Sequence, residues 1–285
     1  MLKLTDAIAA QRSRPVFVCD FSPPRGGTDE FVPDARGLDA DFICVAYNPG
    51  KAVRVDSSAA AYEIKRSAGR ESIFNLSPRD MNKLALETRL LGAQLLELHN
   101  VLVVQGDPIA ERDATTAVND FTSTGLIAAI REMNSGLDYK GLKLRAPTDF
   151  CIGASIDLSR DIEHEAALTK RKVDAGAHFF VTQPAFDVER IEAFREAYQR
   201  IAGAQLDVPV CWGLQVLVAD GVLFSTVPER IREQLAAGRD GVEIALESYE
   251  ALRGIGVEGV YLVSPIMRGG LRDYGAGQRF LSQVI

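Results

Sequence analysis

The chain has 285 residues, of which 47% are hydrophobic and 25% are charged, a composition typical of folded globular proteins that excludes a disordered or low-complexity chain. This length corresponds to roughly two average domains or to one large barrel. The formal net charge of -7 argues against nucleic acid and anionic membranes as partners, because both require a basic surface. The expected partner is therefore a small molecule.

Cysteine and histidine usage bears on disulfides, metals and compartment. Four cysteines are far apart, and each lies within an apolar run: Cys19, Cys44, Cys151 and Cys211. This placement predicts buried thiols in a reducing compartment, and no cysteine or histidine pair has the spacing of zinc ligands. The N-terminus lacks a signal-peptide pattern, and no segment approaches ~20 consecutive apolar residues. We therefore expect a soluble cytoplasmic protein without a metal site.

Short apolar runs recur along the chain, and each ends in a polar or glycine- and proline-rich cluster. There are eight of them, at residues 15–24, 41–50, 71–78, 100–108, 149–157, 178–184, 208–217 and 259–265. The runs are nearly continuous rather than alternating, which is typical of parallel strands covered on both faces. The sequence therefore predicts eight buried strands.

Helical patterns separate most of these runs. In residues 80–98, Leu84, Leu91 and Leu95 fall on one stripe, which predicts that this stripe packs inward. Residues 161–176 begin with acidic side chains, carry basic ones near the end and stop at a glycine, as the helix dipole and a glycine C-cap favour.

Alternation of strands and helices through eight units of about 36 residues predicts an α/β fold of the (β/α)8 TIM-barrel type, with residues 1–285 as a single domain. An open doubly wound sheet is the alternative. No G-x-G-x-x-G follows a strand, which disfavours a Rossmann nucleotide site. In a barrel, the polar residues at the carboxyl ends of the strands form the candidate site.

Three residues at strand ends are candidates on their own chemistry. Asp20 interrupts the apolar run VFVCDF, where a carboxylate is costly unless it is paired, hydrated or used in a reaction; the alternative is a salt bridge or turn bond with Arg25. Asp107 follows a glycine and is either a site residue or a turn residue bonded to its own backbone. Gln183 either contacts a flat heterocycle or is a satisfied core amide.

Three basic residues leave the same choice open. Arg171 and Lys172 could bind phosphate, but cations in the last turns of a helix are already explained by its dipole. Arg268, in the loop after the last strand, either clamps a carboxylate or decorates a solvated loop.

Four segments, in the same order along nearly the whole chain, resemble methylenetetrahydrofolate reductase. The first two are CDFSPPRG at 19–26, against F-E-F-x-P-P-R, and NLSPRDMNKL at 75–84, against H-x-T-C-R-D-x-N. The third is NVLVVQGDP at 100–108, against N-x-L-x-L-R-G-D. The longest is KRKVDAGAHFFVTQPAFD at 170–187, against K-x-K-V-D-A-G-A followed by T-Q-x-x-F-D.

The resemblance implies a (β/α)8 barrel that reduces 5,10-methylenetetrahydrofolate to 5-methyltetrahydrofolate with NADH or NADPH, usually through bound FAD. This reaction belongs to one-carbon metabolism and serves methionine biosynthesis. The resemblance makes Asp20 the general acid that helps to open the five-membered ring. It places Asp107 and Gln183 against the folate and carries over Arg268 as a substrate contact.

The resemblance also indicates a cofactor wall. Its residues are Tyr47, Asn75, Gln105, Gly106, Asp107, Arg171 and Lys172. Several positions depart from the family pattern. Asp20 replaces a glutamate, which withdraws the carboxyl by about 1.5 Å; Asn75 replaces a histidine, Gln105 an arginine and Leu168 an asparagine. Phe224 is the candidate for an aromatic residue that stacks on the substrate. FAD relay and direct hydride transfer from the nicotinamide both stay open.

Two further functions remain as alternatives. A member of the same family could require a redox partner subunit, or could oxidise methyltetrahydrofolate in a demethylation pathway. Assembly as a homo-oligomer also stays open. A protein of another class would bind folate after losing the reductase chemistry, as the changed acid and the altered flavin contacts suggest.

Overall fold

Eight parallel strands close into a barrel in sequence order. The computed structural model describes residues 2–10, 13–222 and 227–285. The strands are β1 (Val16–Phe21), β2 (Phe42–Val45), β3 (Glu71–Leu76), β4 (Asn100–Val103), β5 (Cys151–Ile156), β6 (Phe179–Pro184), β7 (Val210–Gln215) and β8 (Gly259–Val263). Each strand pairs in parallel with the next, and β8 pairs with β1. The predicted (β/α)8 barrel is confirmed, and the open sheet is not formed.

Helices follow each strand and cover the outside of the barrel, and one further helix precedes β1. They are α1 (Leu4–Ala10), α2 (Val32–Gly37), α3 (Ser57–Glu63), α4 (Lys83–Leu95), α5 (Ser123–Asn134), α6 (Ile162–Ala175), α7 (Val188–Ala202), α8 (Glu229–Ala236), α9 (Gly241–Gly254) and α10 (Tyr274–Val284). Short 3-10 turns lie at Pro49–Lys51 and Glu111–Asp113, and a π turn extends α3 over Ile64–Ala68.

Alternate residues of each strand serve two separate apolar layers. In β1, Phe17 and Cys19 pack beneath the outer helices, whereas Val16 and Val18 belong to the barrel interior. Side chains of successive strand residues point to opposite faces, so a strand buried on both faces must be apolar at every position. This requirement explains why eight continuous apolar runs marked the strands.

Helix α1 closes the end of the barrel opposite to the carboxyl ends of the strands. Leu4 is fully buried and Ile8 nearly so, and both pack on the interior cluster. Higher in the barrel, a Cβ at Gly153 would lie 2.2 Å from the Phe179 ring. Glycine is required there because the phenyl ring occupies the space of its side chain.

Helix α4 corrects one prediction. Leu84 and Leu95 are 62% and 84% exposed, and Leu91 is also exposed. The buried face instead carries Leu86 and Leu90, with Glu87 and Ala93. The helix is apolar on two stripes, so its leucine spacing alone did not decide which stripe faces the strands.

Helix α6 and the cysteines agree with the sequence. The Asp161 side chain accepts from the His164 N–H at the start of α6, and Gly176 ends it with φ 113°, as a left-handed C-cap requires. All four cysteines are free and buried. Burial raises the pKa of the Cys211 thiol to about 12, so near neutral pH it stays protonated.

Within the described ranges, no helix combines the length and the apolar character needed to cross a membrane. The same residues contain no group of three or more histidine, cysteine or acidic side chains arranged to hold a metal ion.

Candidate active site

A cleft of about 860 Å³ opens at the carboxyl ends of the strands, the end of a TIM barrel that carries active sites. Nine of the ten residues that the sequence analysis assigned to the site line it: Asp20, Tyr47, Asn75, Gln105, Gly106, Asp107, Arg171, Lys172 and Gln183. The volume lies within the range of small-molecule pockets, roughly 300–1,000 Å³.

The alternation of side chains along β1 directs Asp20 into this cleft. Val16 and Val18 point into the barrel, so Asp20 occupies the next inward position of β1. Tyr261 pairs in register with Val18 across β8 and β1 and packs against the same interior cluster. The two polar side chains therefore meet at the top of the apolar interior.

Asp20 is held by two donors. Its Oδ1 accepts a hydrogen bond from the Tyr261 hydroxyl at 2.9 Å, and its Oδ2 accepts from Arg272 Nη2 at 2.9 Å. The side chains of Arg272 and Asp20 are only 5% and 7% exposed. The sequence had offered Arg25 as the ion-pair partner; the structure places Arg272 there instead.

Tyr261 lies on β8 and Cys44 on β2, the two strands that pair with β1. Burial raises the pKa of Tyr261 well above its ordinary value, and the charge of Asp20 raises it further. The Cys44 thiol, whose pKa burial also raises, donates to Asn75 Oδ1 at 3.1 Å. Asn75 is in turn fixed through its backbone carbonyl, which accepts from the Ser57 hydroxyl at 2.7 Å.

The loop after β4 forms one rim. The Ser77 hydroxyl donates to the Gln105 carbonyl at 3.0 Å, and Gln105 Oε1 accepts from the Ser123 N–H at 3.2 Å. Gly106 has φ +78°, and a Cβ there would lie 2.7 Å from Ser77 Oγ. Both observations require glycine at this turn. The next residue, Asp107, is exposed at the mouth of the cleft.

The R-D-x-N motif explains how that rim is held. Arg79 forms a two-point ion pair with Asp80, at 2.6 and 2.7 Å, and Arg79 Nη1 donates to the Asp107 carbonyl at 3.1 Å. Asn82 caps α4 by accepting from the Ala85 N–H at 2.9 Å. The motif thus orients the loop that carries Asp107.

Tyr47 lies on the neighbouring wall. The Arg89 guanidinium is 5.5 Å from the centre of its ring, a distance at which a cation is attracted to the ring face. Burial raises the pKa of Tyr47, and the charge of Asp80 and a hydrogen bond with it add to the rise. The hydroxyl is therefore a neutral group close to the cleft.

Gln183 faces the cleft from β6. Its side chain is exposed, which excludes the alternative of a buried core amide. The register between β6 and β7 shifts between Val181 and Pro184, and a Cβ at Gly213 would lie 2.5 Å from the Gln183 carbonyl oxygen. Glycine on β7 therefore permits the close backbone approach that positions this amide.

Arg171 and Lys172 differ in availability. Lys172 is buried; its Nζ donates to the Ser155 carbonyl and lies 3.8 Å from Glu165 Oε1. Burial lowers the pKa of Lys172, against the raising effect of Glu165. Arg171 is exposed, and Leu168 lines the same wall. Of the two cations, Arg171 is the one accessible to an anion.

Arg268 is not brought into the cleft. Its side chain is 83% exposed and pairs with Asp220 at 3.3 Å, and it does not line the cleft among the described residues. Arg272, four residues later, makes the buried contact with Asp20. Phe224, the candidate aromatic, lies outside the described residues.

The cofactor wall fits FAD only in part. Lys172 donates to a backbone carbonyl, Asn75 Oδ1 accepts from a thiol, and Gln105 Oε1 accepts from the backbone of α5. Arg160, which also lines the cleft, pairs with an aspartate at 3.1 Å. A pyrophosphate binds best to charged donors aimed at it. Lys172 is engaged within the protein, whereas Arg171 is exposed, and the contacts of Asn75 and Gln105 occupy acceptor oxygens rather than the donors that a phosphate needs.

Sequence reasoning missed Tyr261 and Arg272. The signal for the tyrosine was a hydroxyl within the apolar run GVYLV. Arg272 pairs with a residue 252 positions away, a contact that no local spacing reports.

The amino-acid sequence of the chain is similar to those of known proteins. The sequence pattern of methylenetetrahydrofolate reductase matches residues 3–219. Methylenetetrahydrofolate reductase 1 of Schizosaccharomyces pombe is 24% identical over 208 residues, which cover 66% of this chain and 32% of that protein. The match thus spans about a third of the length of that relative.

A solved structure shares the fold. It is an uncharacterized protein from Clostridium thermocellum that binds two copies of 5-methyl-5,6,7,8-tetrahydrofolic acid. The TM-score is 0.68 at 14% identity, with 99% of this chain and 98% of that chain covered. At this identity the likeness concerns the barrel architecture.

Proposed function

Because the chain belongs to the methylenetetrahydrofolate reductase family, we propose that it binds a reduced folate in the barrel cleft and converts 5,10-methylenetetrahydrofolate to 5-methyltetrahydrofolate with NAD(P)H. The observation that carries the proposal is the buried acid Asp20, which shares one cleft with Gln183 and Asp107. The folate bound by the structural neighbour supports a ligand of the same class.

The reaction requires one proton and one hydride. N10 of the folate takes the proton as its bond to the methylene carbon breaks, which leaves an iminium at N5. The hydride of the nicotinamide then adds to the methylene carbon and gives the N5 methyl group. Asp20 is the source of the proton, and the carboxylate that remains is stabilised by Arg272 and offsets the positive charge of the iminium.

Gln183 and Asp107 orient the pterin in this proposal. An exposed amide donates and accepts at once, which suits the edge of a ring that carries both amide and amine groups. The carboxylate of Asp107 accepts hydrogen bonds only, and the Arg79 contact to its backbone holds it at the rim. Neither side chain needs to move proton or hydride.

In this proposal the hydride passes from the nicotinamide to the folate without a flavin. The support for this choice is the buried Lys172, which donates to a backbone carbonyl, and the replacement of the family's histidine and arginine by Asn75 and Gln105. The test is the visible absorption spectrum of the purified protein before and after incubation with FAD and desalting. A colourless protein that reduces the folate is the expected result, and a retained flavin spectrum would replace direct transfer by a two-step relay.

Asp20→Asn tests the proposed acid. Because the amide cannot supply the proton, we expect turnover to fall by at least ~100-fold while folate binding is retained. Asp29→Asn, an exposed change in the loop after β1, is the matched control and should leave turnover unchanged. Near-normal turnover of Asp20→Asn would show that the acid is assigned wrongly. Folate binding without product under any hydride donor would favour the binding protein over the reductase.

A further inference from the structure

Tyr261 stands beside Asp20 in the cleft. Its hydroxyl is 2.9 Å from Asp20 Oδ1, and both side chains line the cleft. Asp20 is 5% exposed, whereas Tyr261 is only partly buried. Tyr261 therefore has the larger exposed fraction of the two residues.

The reach of Asp20 is limited by its neighbours. Oδ2 accepts a hydrogen bond from Arg272, and a single methylene links the carboxyl group to the backbone. A ligand in the cleft meets the phenol more readily than the carboxyl, because the carboxyl is nearly closed off from solvent. The Tyr261 hydroxyl is hydrogen-bonded to Asp20, so it is the group through which a proton of Asp20 can reach a ligand.

We propose that Tyr261 relays the proton of Asp20 to the folate nitrogen. This inference rests on the proposed function. The phenolic O–H bond breaks as the N10–H bond forms, and the tyrosine oxygen takes the carboxyl proton of Asp20 in the same step. Asp20 ends as a carboxylate paired with Arg272, and Tyr261 ends neutral. This ionised pair is the resting state, and Asp20 takes up a proton from solvent, through the Tyr261 hydroxyl, when the next folate binds. The electrons come from the nicotinamide hydride.

The surroundings of Tyr261 favour a relay over a lone phenolic acid. Burial and the charge of Asp20 both raise the pKa of Tyr261, and Cys44 contributes in the same direction. A tyrosine that simply gave up its proton would become a phenolate beside a carboxylate. In the relay the phenolate never accumulates, because the same oxygen is reprotonated as it donates. The hydrogen bonds observed, with both Asp20 oxygens accepting, correspond to the state after transfer.

The direct test compares Tyr261→Phe with the double variant Asp20→Glu/Tyr261→Phe. The single change should lower kcat by at least ~100-fold, with the folate dissociation constant within about threefold. Glutamate moves the carboxyl outward by about 1.5 Å, so the double variant should recover at least ~10-fold over Tyr261→Phe. Tyr249→Phe is the control, since Tyr249 is a buried tyrosine that packs on Phe17 outside the barrel, and it should keep the wild-type kcat.

A structural role for Tyr261 would give a different pattern, because a longer acid would not restore a damaged fold. Loss of kcat without recovery in the double variant, or full activity of Tyr261→Phe, overturns the relay. If the wild type itself forms no 5-methyltetrahydrofolate, the proposed function fails, and the relay fails with it. Full activity of Tyr261→Phe leaves the proposed function standing.

A measurement on the wild type covers the case in which the variants do not fold. Single-turnover rates are recorded in mixtures of light and heavy water. Two protons in motion in one step give a curved dependence of rate on deuterium fraction, which is the result that the relay requires. A linear dependence indicates one proton in motion and overturns the relay.

Discussion

Arg272→Met should destabilise the protein strongly, because it leaves a buried carboxylate without its cation. The Arg272 Nη2 to Asp20 Oδ2 distance is 2.9 Å, with both side chains less than a tenth exposed. Breaking a buried ion pair by removing one partner costs about 3–5 kcal/mol. For a chain of this size, each kcal/mol lowers Tm by roughly 2–4 °C, so Tm should fall by about 6–20 °C.

Urea unfolding followed by circular dichroism measures the free energy of unfolding, and calorimetry measures Tm. The double variant Asp20→Asn/Arg272→Met removes both charges and should recover most of the loss, because it leaves no uncompensated charge in the interior. Arg268→Met is the control: its pair with Asp220 is exposed, and its change should stay within about 0.5 kcal/mol.

Two results would refute this reasoning. The first is an Arg272→Met variant whose free energy of unfolding lies within about 1 kcal/mol of the wild type. The second is a double variant as unstable as the single one, which would assign the loss to packing of the arginine stem rather than to the unpaired charge.

Three further predictions concern the rim, the helices and the thiols. Gly106→Ala should raise the KM for folate and lower the free energy of unfolding by about 1–3 kcal/mol. The reason is that the backbone φ of +78° and the 2.7 Å approach to Ser77 Oγ both oppose a side chain. An unchanged KM would contradict this prediction. Leu90→Ala should cost about 2–5 kcal/mol, whereas Leu91→Ala on the exposed stripe should cost less than ~0.5 kcal/mol, and urea unfolding compares them. Burial raises the pKa of Cys211, so this thiol stays protonated in the folded state. In the unfolded state it ionises from about pH 8.5. The free energy of unfolding should therefore fall as the pH rises above that value. Native protein should resist a thiol reagent until urea unfolds it; fast native labelling of Cys211 would contradict the burial.

The strands were predictable because each must be apolar on both faces, and that requirement leaves a continuous mark in the sequence. Helix α4 was not predictable to the same degree. It carries two apolar stripes, one with Leu84, Leu91 and Leu95 and another with Leu86 and Leu90. Periodicity detects the helix but does not choose between the stripes, which depends on how the helix rotates onto the barrel.

The site was predictable where it lies at strand ends and unpredictable where loops meet across the barrel. Strand parity alone places Asp20 and Gln183 at the mouth, and the family motifs single out both. The ion pair of Asp20 with Arg272 joins residues 252 positions apart. Arg268 lies nearer to the last strand, and no local sequence pattern favours Arg272 over it. Tyr261 was hidden in an apolar run because a tyrosine ring satisfies the packing of such a strand.

The most direct test of the central claim follows a labelled hydride. Purified protein is incubated without oxygen with 5,10-methylenetetrahydrofolate and NADH or NADPH that carries deuterium at the transferable position of the nicotinamide, and the folates are analysed by mass spectrometry. We expect 5-methyltetrahydrofolate with one deuterium in its methyl group, formed by a protein with no flavin spectrum. A folate that stays bound but unreduced with both nucleotides would contradict the assignment of this cleft as a reductase site.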